Sequence, residues 1–373
     1  MHILFAGGGT AGHINPALAI AGYIREKHPD AHISYIGTAD KLESKLVPDA
    51  GYNFRTISVA GFQRKLTLEN IGKNISAVGK ALTSSITARK ILKEIDPDIV
   101  IGTGGYVSGP VLREAAKLGI KTAIHEQNAY PGVTTKMLAP NVDAVLLAMP
   151  EAEKYLKLKK KPFVTGNPVR KELLRIDRDT ARAKLGLDSD KPMILSFGGS
   201  LGAAQVNKSV RGLIEWHNDS DKFYHIHATG KFGYNDFVEY FKDKNITLSK
   251  NIDVREYIND MDVCMAAADL VICRAGAITL SELLACGKPS ILIPSPYVAE
   301  NHQFHNAMTL KRIGASEIIE EKDLNADSLI TMVSNLIENK PQLEKMSKAA
   351  VDGAIKDANE RIYEIIMQLY TNA

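Results

Sequence analysis

The feature that most constrains the fold is a strand–glycine–helix–strand unit at residues 269–293. The apolar run Asp269–Cys273 reads as a short buried parallel strand, breaks at Gly276, and resumes as a helix with Leu280, Leu283 and Leu284 on one face. That helix stops at Gly287-Lys288-Pro289, and a second apolar run, Ser290–Ile293, follows. A unit of this kind aims a helix N-terminus, with its unpaired N–H groups and positive dipole end, at a ligand. Thr279 and Ser281 add hydroxyls there, and Glu282 offers a carboxylate able to accept two bonds from a vicinal diol. The ligand implied is a nucleotide, anionic at one end and carrying ribose hydroxyls at the other. A plain capped helix, with Glu282 compensating the dipole, fits the same residues, so the reading depends on further turns of this type.

The chain supplies them. The strand Met1–Ala6 runs into Gly7-Gly-Gly-Thr-Ala-Gly-His13 and then a helix carrying Ile14, Leu18, Ile20 and Ile24, with Pro16 placed in its first turn. His13 stands at the helix mouth, either as a neutral cap or as a general base. A dinucleotide oxidoreductase needs an acidic residue about 20 positions on. After the strand His32–Gly37 only Asp40 offers itself. The strand Asp98–Ile101 leads into Gly102-Thr-Gly-Gly-Tyr-Val-Ser-Gly-Pro110, a second anion cradle. Two such loops in one half-chain imply a large or doubly charged substrate. Thr122–His125 then delivers Glu126, Gln127 and Asn128 at the carboxyl end of a strand, where open α/β sheets hold ligands. The second half repeats the plan, with the strand Pro192–Phe197 and the turn Gly198-Gly-Ser-Leu-Gly-Ala203, in which Ser200 can meet a diphosphate.

At 373 residues the chain exceeds one simple core, so two domains are expected. Gly and Pro punctuate Val164–Arg170, which reads as a linker with strand character. The division is therefore 1–163 and 164–350, with a helix over 351–373 crossing back onto the first domain. The fold class is α/β, two doubly wound domains facing across a cleft. Cys264, Cys273 and Cys286 form an odd, apolar set, which fits buried thiols in a reducing cytosol and supplies no zinc ligands. No run approaches the roughly 18 apolar residues of a membrane span, and no leader precedes the first strand. No Cys–His or Ser–His–Asp nucleophile signature occurs, and no Asp-x-Asp pair closes a strand, so neither metal nor cofactor is expected.

Charge is uneven: residues 1–161 carry 21 Lys+Arg against 14 Asp+Glu, and the remainder 25 against 29. Gly61–Lys93 alone holds seven basic residues and one acidic, with Ile71, Ile75, Val78 and Leu82 at helical spacing. It reads as a face for an anionic bilayer or as a core stripe with a solvated basic back. Nucleic acid suits the charge, but stacking aromatics are missing apart from Phe62, and no nucleic-acid partner is expected.

Six motifs then occur in one order: Gly8–His13, Gly102–Pro110, His125-Glu-Gln-Asn128, Gly166-Asn-Pro-Val-Arg170, Gly198–Ala203 and Arg274–Glu282. Over nearly its whole length the chain thus resembles the MurG family of peptidoglycan synthesis. The resemblance implies the two-domain GT-B fold and an inverting transfer of N-acetylglucosamine from UDP-N-acetylglucosamine. The acceptor is the muramoyl 4-hydroxyl of undecaprenyl-diphosphate-linked muramoyl-pentapeptide (lipid I, giving lipid II). It also implies a peripheral enzyme on the cytoplasmic face of the bacterial membrane, contacting it through residues 61–93. For the donor it implies Ile258 and Met261 near the uracil, Glu282 on the ribose, and Ser200, the Gly198–Ala203 turn and Arg170 on the diphosphate, with Thr279 also on the donor. Gln303 and Asn128 would meet the sugar, with Thr10 and Gly12 also on the donor side. Gly9, Gly104, Gly105 and Tyr106 would take the acceptor diphosphate, and His13 the acceptor's proton. Ala11, Leu201 and His302 depart from the common family pattern. Three rivals stand beside this: a diacylglycerol glycosyltransferase, a UDP-N-acetylglucosamine 2-epimerase, and a non-catalytic nucleotide-sugar-binding scaffold with no use for His13.

Overall fold

The computed structural model describes residues 1–59, 83–188, 190–220 and 222–371. The basic stretch beginning at Gly61 thus lies outside the described residues as far as Leu82. The chain divides into unit 1, Met1–Pro168 with Asp357–Ala373, and unit 2, Val169–Lys356.

Unit 1 holds seven strands: β1 (His2–Gly7), β2 (His32–Gly37), β3 (Asn53–Thr56), β4 (Ile99–Gly104), β5 (Lys121–Glu126), β6 (Ala144–Leu147) and β7 (Phe163–Val164). Its helices are α1 (Ala11–Lys27), α2 (Glu43–Asp49), α3 (83–95), α4 (Gly105–Lys117) and α5 (Val133–Leu138). The sheet order is β3-β2-β1-β4-β5-β6-β7, and neighbouring strands run parallel. Parallel strands joined by helices are covered on both faces, so they read as unbroken apolar runs. In β1, Ile3 and Phe5 pack with Ile14, Ile20 and Ile24 of α1, whereas Leu4 and Ala6 pack with Leu92 of α3 and Val111 and Leu112 of α4.

Unit 2 holds β8 (Met193–Phe197), β9 (Tyr224–Ala228), β10 (Ile252–Arg255), β11 (Leu270–Cys273), β12 (Ser290–Leu292) and β13 (Ser316–Ile318). Before, between and after them lie α6 (Arg178–Leu185), α7 (Ala204–His217), α8 (Tyr234–Asp243), α9 (Met261–Ala267), α10 (Ala277–Ala285), α11 (His302–Arg312), α12 (Ala326–Ile337) and α13 (Lys340–Asp352). The order β10-β9-β8-β11-β12-β13, again all parallel, repeats that of unit 1.

Three local expectations change. Helix α1 already starts at Ala11, so Pro16 stands in its second turn and, lacking an N–H, gives nothing to the Gly12 carbonyl. The tail is not one helix from 351. Gly353 ends α13, and the last helix, α14 (Ala358–Thr371), begins only at Ala358. It buries Ile362, Ile365 and Ile366 in the unit 1 core, and His28 Nε2 lies 2.8 Å from Tyr363 Oη. Finally, the stretch read as a linker opens with β7, which pairs with Leu146 and Leu147, so the units part at Pro168/Val169 rather than at 163/164. Among the described residues no helix is long and apolar enough to cross a membrane.

Candidate active site

In a doubly wound sheet, ligands gather beyond the carboxyl ends of the strands where the winding reverses. In unit 1 that point lies between β1 and β4, from whose ends the two glycine loops spring. Both loops need glycine to meet. A side chain on Gly105 (φ +79°) would put its Cβ 2.3 Å from the Gly8 carbonyl oxygen, and one on Gly104 (φ +106°) would reach 2.7 Å from His13 Cδ2.

His13, half-buried in the first turn of α1, lies with Nδ1 3.1 Å from Gly8 O and 3.3 Å from Thr10 Oγ1. A carbonyl only accepts, so the bond to Gly8 places the proton on Nδ1 and leaves Nε2 as the basic atom. Thr10 is the residue before the helix and Gly12 its second member, both exposed.

The amides expected to hold the acceptor diphosphate are partly used within the unit. Gly9 N–H donates to Glu43 Oε2 (2.9 Å), whose other oxygen accepts from Thr38 N (3.1 Å) and Thr38 Oγ1 (2.8 Å). Gly104 N–H donates to Ser108 Oγ (3.1 Å). Glu43 and Ser108 are fully buried, and a buried polar group takes the nearest donors it can reach. The Gly9 and Gly104 amides, expected to meet the acceptor diphosphate, thus have acceptors within the unit. Gly105 and Tyr106 open α4, where amides lack intrahelical acceptors, and Tyr106 is exposed.

At the end of β5 the four polar residues divide. His125 Nε2 donates to Gly166 O (3.0 Å) and Gln127 Nε2 lies 3.1 Å from Thr103 O, which ties the strand ends together. Burial holds the His125 imidazole below its usual pKa, and it stays neutral. Glu126 Oε1 accepts from Asn128 N (3.0 Å) and Nδ2 (3.1 Å), which sets the amide plane of Asn128.

Unit 2 has its switch point between β8 and β11. There a cavity of about 670 Å³ is lined by the Gly198–Gly199 turn, Gly202, Gly276, Thr279 and Gln303. Arg274 and Glu321, ion-paired to each other, form part of its wall. Gln303 Oε1 accepts from Ser295 N (2.9 Å), so its amide nitrogen is the group with donors to offer. Ser200 sits exposed at the tip of the turn, outside the cavity lining. Ile258 is buried just ahead of α9, which Met261 opens.

Glu282 and Arg170 were expected to hold ribose and diphosphate separately, yet the structure pairs them. Arg170 Nε donates to Glu282 Oε1 (2.6 Å) and Nη2 to Oε2 (3.1 Å). The Glu282 side chain is 7% exposed and that of Arg170 55%. Burial lowers the guanidinium's pKa, but the Glu282 carboxylate more than restores it. Among the described residues no group of three or more His, Cys, Asp or Glu could hold a metal ion.

Residues 3–147 match the glycosyltransferase family 28 N-terminal domain, and residues 193–362 its C-terminal domain. The chain is 49% identical over 372 residues (100% of this chain, 99% of the relative) to the UDP-N-acetylglucosamine--N-acetylmuramyl-(pentapeptide) pyrophosphoryl-undecaprenol N-acetylglucosamine transferase of Acetivibrio thermocellus. A protein of the same name from Ruminiclostridium cellulolyticum is 47% identical, over 99% of this chain and 100% of that one. Among solved structures, that of Acinetobacter baumannii MurG matches with a TM-score of 0.80 at 28% identity, over 98% of this chain and 99% of that one. This chain belongs to the MurG family.

As a MurG-family glycosyltransferase it has the pair of Rossmann-like domains of the GT-B fold. The candidate site residues fall in two groups. Gly9, Thr10, Gly12, His13, Gly104, Gly105, Tyr106 and Asn128 belong to unit 1, and Arg170, Ser200, Ile258, Met261, Thr279, Glu282 and Gln303 to unit 2. Sequence reasoning missed Glu43, Ser108, and the Arg274–Glu321 pair in the cavity wall. Ser108 and Arg274 lay inside motifs already singled out, and Glu43 left a fainter signal: a carboxylate at the start of the helix after β2, easily taken for dipole compensation.

Proposed function

We propose that this chain transfers N-acetylglucosamine from UDP-N-acetylglucosamine to the 4-hydroxyl of the muramoyl unit of undecaprenyl-diphosphate-linked muramoyl-pentapeptide, with inversion at the anomeric carbon. The observation that carries this reading is His13, set where two glycine loops meet, with Nδ1 engaged by Gly8 and Nε2 as its basic atom. The whole-length identity to transferases of that name supports it over the epimerase and glycolipid readings.

In this mechanism the acceptor O4 gives its proton to His13 Nε2 as the O4–C1 bond forms and the bond from C1 to the UDP oxygen breaks. Unit 2 holds the donor. The N-terminus of α10 and the amides of the Gly198–Ala203 turn face the diphosphate, and Thr279 adds its hydroxyl. A carboxylate offers about four acceptor positions, of which Arg170 uses two on Glu282. Ribose hydroxyls can thus bind Glu282 while Arg170 swings toward the diphosphate, where its permanent positive charge stabilises the leaving group without a metal. Ile258 and Met261 flank the uracil, and Ser200 meets the diphosphate at the tip of the turn. Gln303, Asn128, Thr10 and Gly12 serve the sugar end. The amides of Gly105 and Tyr106 take the acceptor diphosphate. The enzyme acts peripherally at the cytoplasmic membrane face, which its basic stretch 61–93 contacts.

The test is transfer of labelled N-acetylglucosamine to a lipid I analogue with EDTA present, for wild type and His13→Ala. Wild-type transfer is expected to proceed, and the variant to lose roughly 10²–10⁴-fold in kcat while still binding UDP. Full transfer by the variant removes the base assignment. Epimerised sugar with no transfer removes the function.

A further inference from the structure

The carboxylate of Glu43 has no place in the chemistry above, yet it is completely buried beside the first glycine loop. Its oxygens hold Gly9 N–H at 2.9 Å and the Thr38 amide and hydroxyl at 3.1 and 2.8 Å. The slot around it is closed. A Cβ on Gly8 would fall 2.2 Å from Glu43 Oε1, and one on Gly37 would fall 2.6 Å from Glu43 Cγ. Gly9 N and Gly8 O belong to one peptide plane, and a trans peptide points its N–H and C=O in opposite directions. On the far side of that plane, Gly8 O accepts from His13 Nδ1 at 3.1 Å.

We infer that Glu43 is a positioning residue for His13, acting through the single peptide Gly8–Gly9. The carboxylate fixes and polarises the peptide, whose carbonyl then fixes the tautomer and tilt of the imidazole and eases the positive charge that appears when Nε2 takes a proton. Hydrogen bonds in series strengthen one another in a low-dielectric interior. The logic is that of a carboxylate orienting a catalytic histidine, with a backbone amide interposed. The Thr38 donors satisfy the remaining oxygen, which keeps the carboxylate from turning away.

The inference rests on His13 acting as the base, and the experiment separates the two. In the full-length protein with ¹⁵N-labelled histidine, the His13 signals are assigned by their loss in His13→Ala. The wild type is expected to carry its proton on Nδ1. A wild-type His13 protonated on Nε2 overturns the inference with no Glu43 variant having to fold. Glu43→Gln, equal in size, is expected to lower kcat roughly 10–100-fold with both KM values within about twofold, and to populate both tautomers. A raised acceptor KM with unchanged kcat would make Glu43 a support for loop shape alone and overturn the inference. If Glu43→Gln does not fold, Glu43→Asp serves. Its carboxylate, drawn back by one methylene, is expected to give an intermediate kcat, and wild-type kcat overturns the inference. An active His13→Ala removes the base but leaves the tautomer result standing. An inactive one beside a fully active Glu43→Gln keeps the base and removes the positioning role.

Discussion

Acid should destabilise unit 2 well before its carboxylates titrate. His217 at the end of α7, His225 and His227 on β9, and Ser196 on β8 form one buried row. His217 Nε2 lies 3.1 Å from His225 Nδ1, His225 Nε2 2.7 Å from Ser196 Oγ, and Ser196 Oγ 2.8 Å from His227 Nδ1. Burial pushes His217 down to about 4 and His227 to about 3. His225 falls well below its usual value through burial and then its two histidine neighbours. In the unfolded chain each titrates near 6.5. Because the folded pKa is the lower one, the unfolded state binds more protons below pH 6.5. The stability is fully present above that value and is lost at about 1.4 kcal/mol per pH unit per histidine as pH falls towards the folded pKa.

From pH 7.5 to 5.5 each histidine then removes about 1.4 kcal/mol, and the three together about 4, against a typical total of about 5–15 kcal/mol. Asp177 and Glu215, whose pKa values are lowered, lose their contributions only below about pH 4, outside this window. Trp216, the only tryptophan, stands beside His217 on α7 with its ring 6.5 Å from that of Phe223. Its emission during urea unfolding therefore reports unit 2. At a slope of about 2 kcal/mol per molar, the midpoint should fall by roughly 2 M between the two pH values. His217→Phe, which keeps the packing on Phe223, should cut that fall by about a third. A midpoint that stays within about 0.3 M refutes the reasoning, because three neutral buried imidazoles cannot then be what the fold requires.

Two substitutions separate binding from chemistry. Glu282→Ala removes the proposed ribose acceptor and frees a half-exposed Arg170 that water can solvate, so the fold should persist while UDP affinity by calorimetry falls roughly 10–100-fold. Unchanged affinity places the ribose elsewhere. Gly104→Ala forces a strained φ of +106° and a Cβ 2.7 Å from His13 Cδ2, so transfer should drop about 10²-fold with UDP binding intact. Normal transfer means His13 need not occupy its observed position.

Most strands were legible because parallel strands buried on both faces are written as apolar runs. The exceptions were short. β13 has three residues, too few for a pattern, and β7, with two exposed residues ahead of Gly166 and Pro168, showed only as strand character within a linker. The site was legible where a glycine turn met a helix, because that chemistry is local. What stayed hidden were partners distant in sequence. Glu43 lies 34 residues from Gly9, and Glu282 lies 112 from Arg170. Nothing in the spacing of either pair says that the fold closes it. A folded chain satisfies its buried polar groups from within, so Glu43 and Ser108 take amides of the glycine loops.

The two units share a strand order and put their glycine turns at the same topological place, but they use it differently. Unit 1 spends the Gly9 and Gly104 amides on its own Glu43 and Ser108, and the Gly8 carbonyl engages His13 Nδ1, which leaves Nε2 for the proposed proton transfer. Unit 2 keeps a cavity of about 670 Å³ beneath the α10 N-terminus, with the ion-paired Arg274 and Glu321 in its wall. A base needs one fixed tautomer, whereas a nucleotide site needs amides and charges still able to accept a guest. Rigid glycine-loop substitutions in unit 1 should therefore register in kcat, and cavity substitutions in unit 2 in affinity. One Rossmann plan can thus serve both tasks because side chains, and not the strand order, decide which backbone donors remain for a ligand.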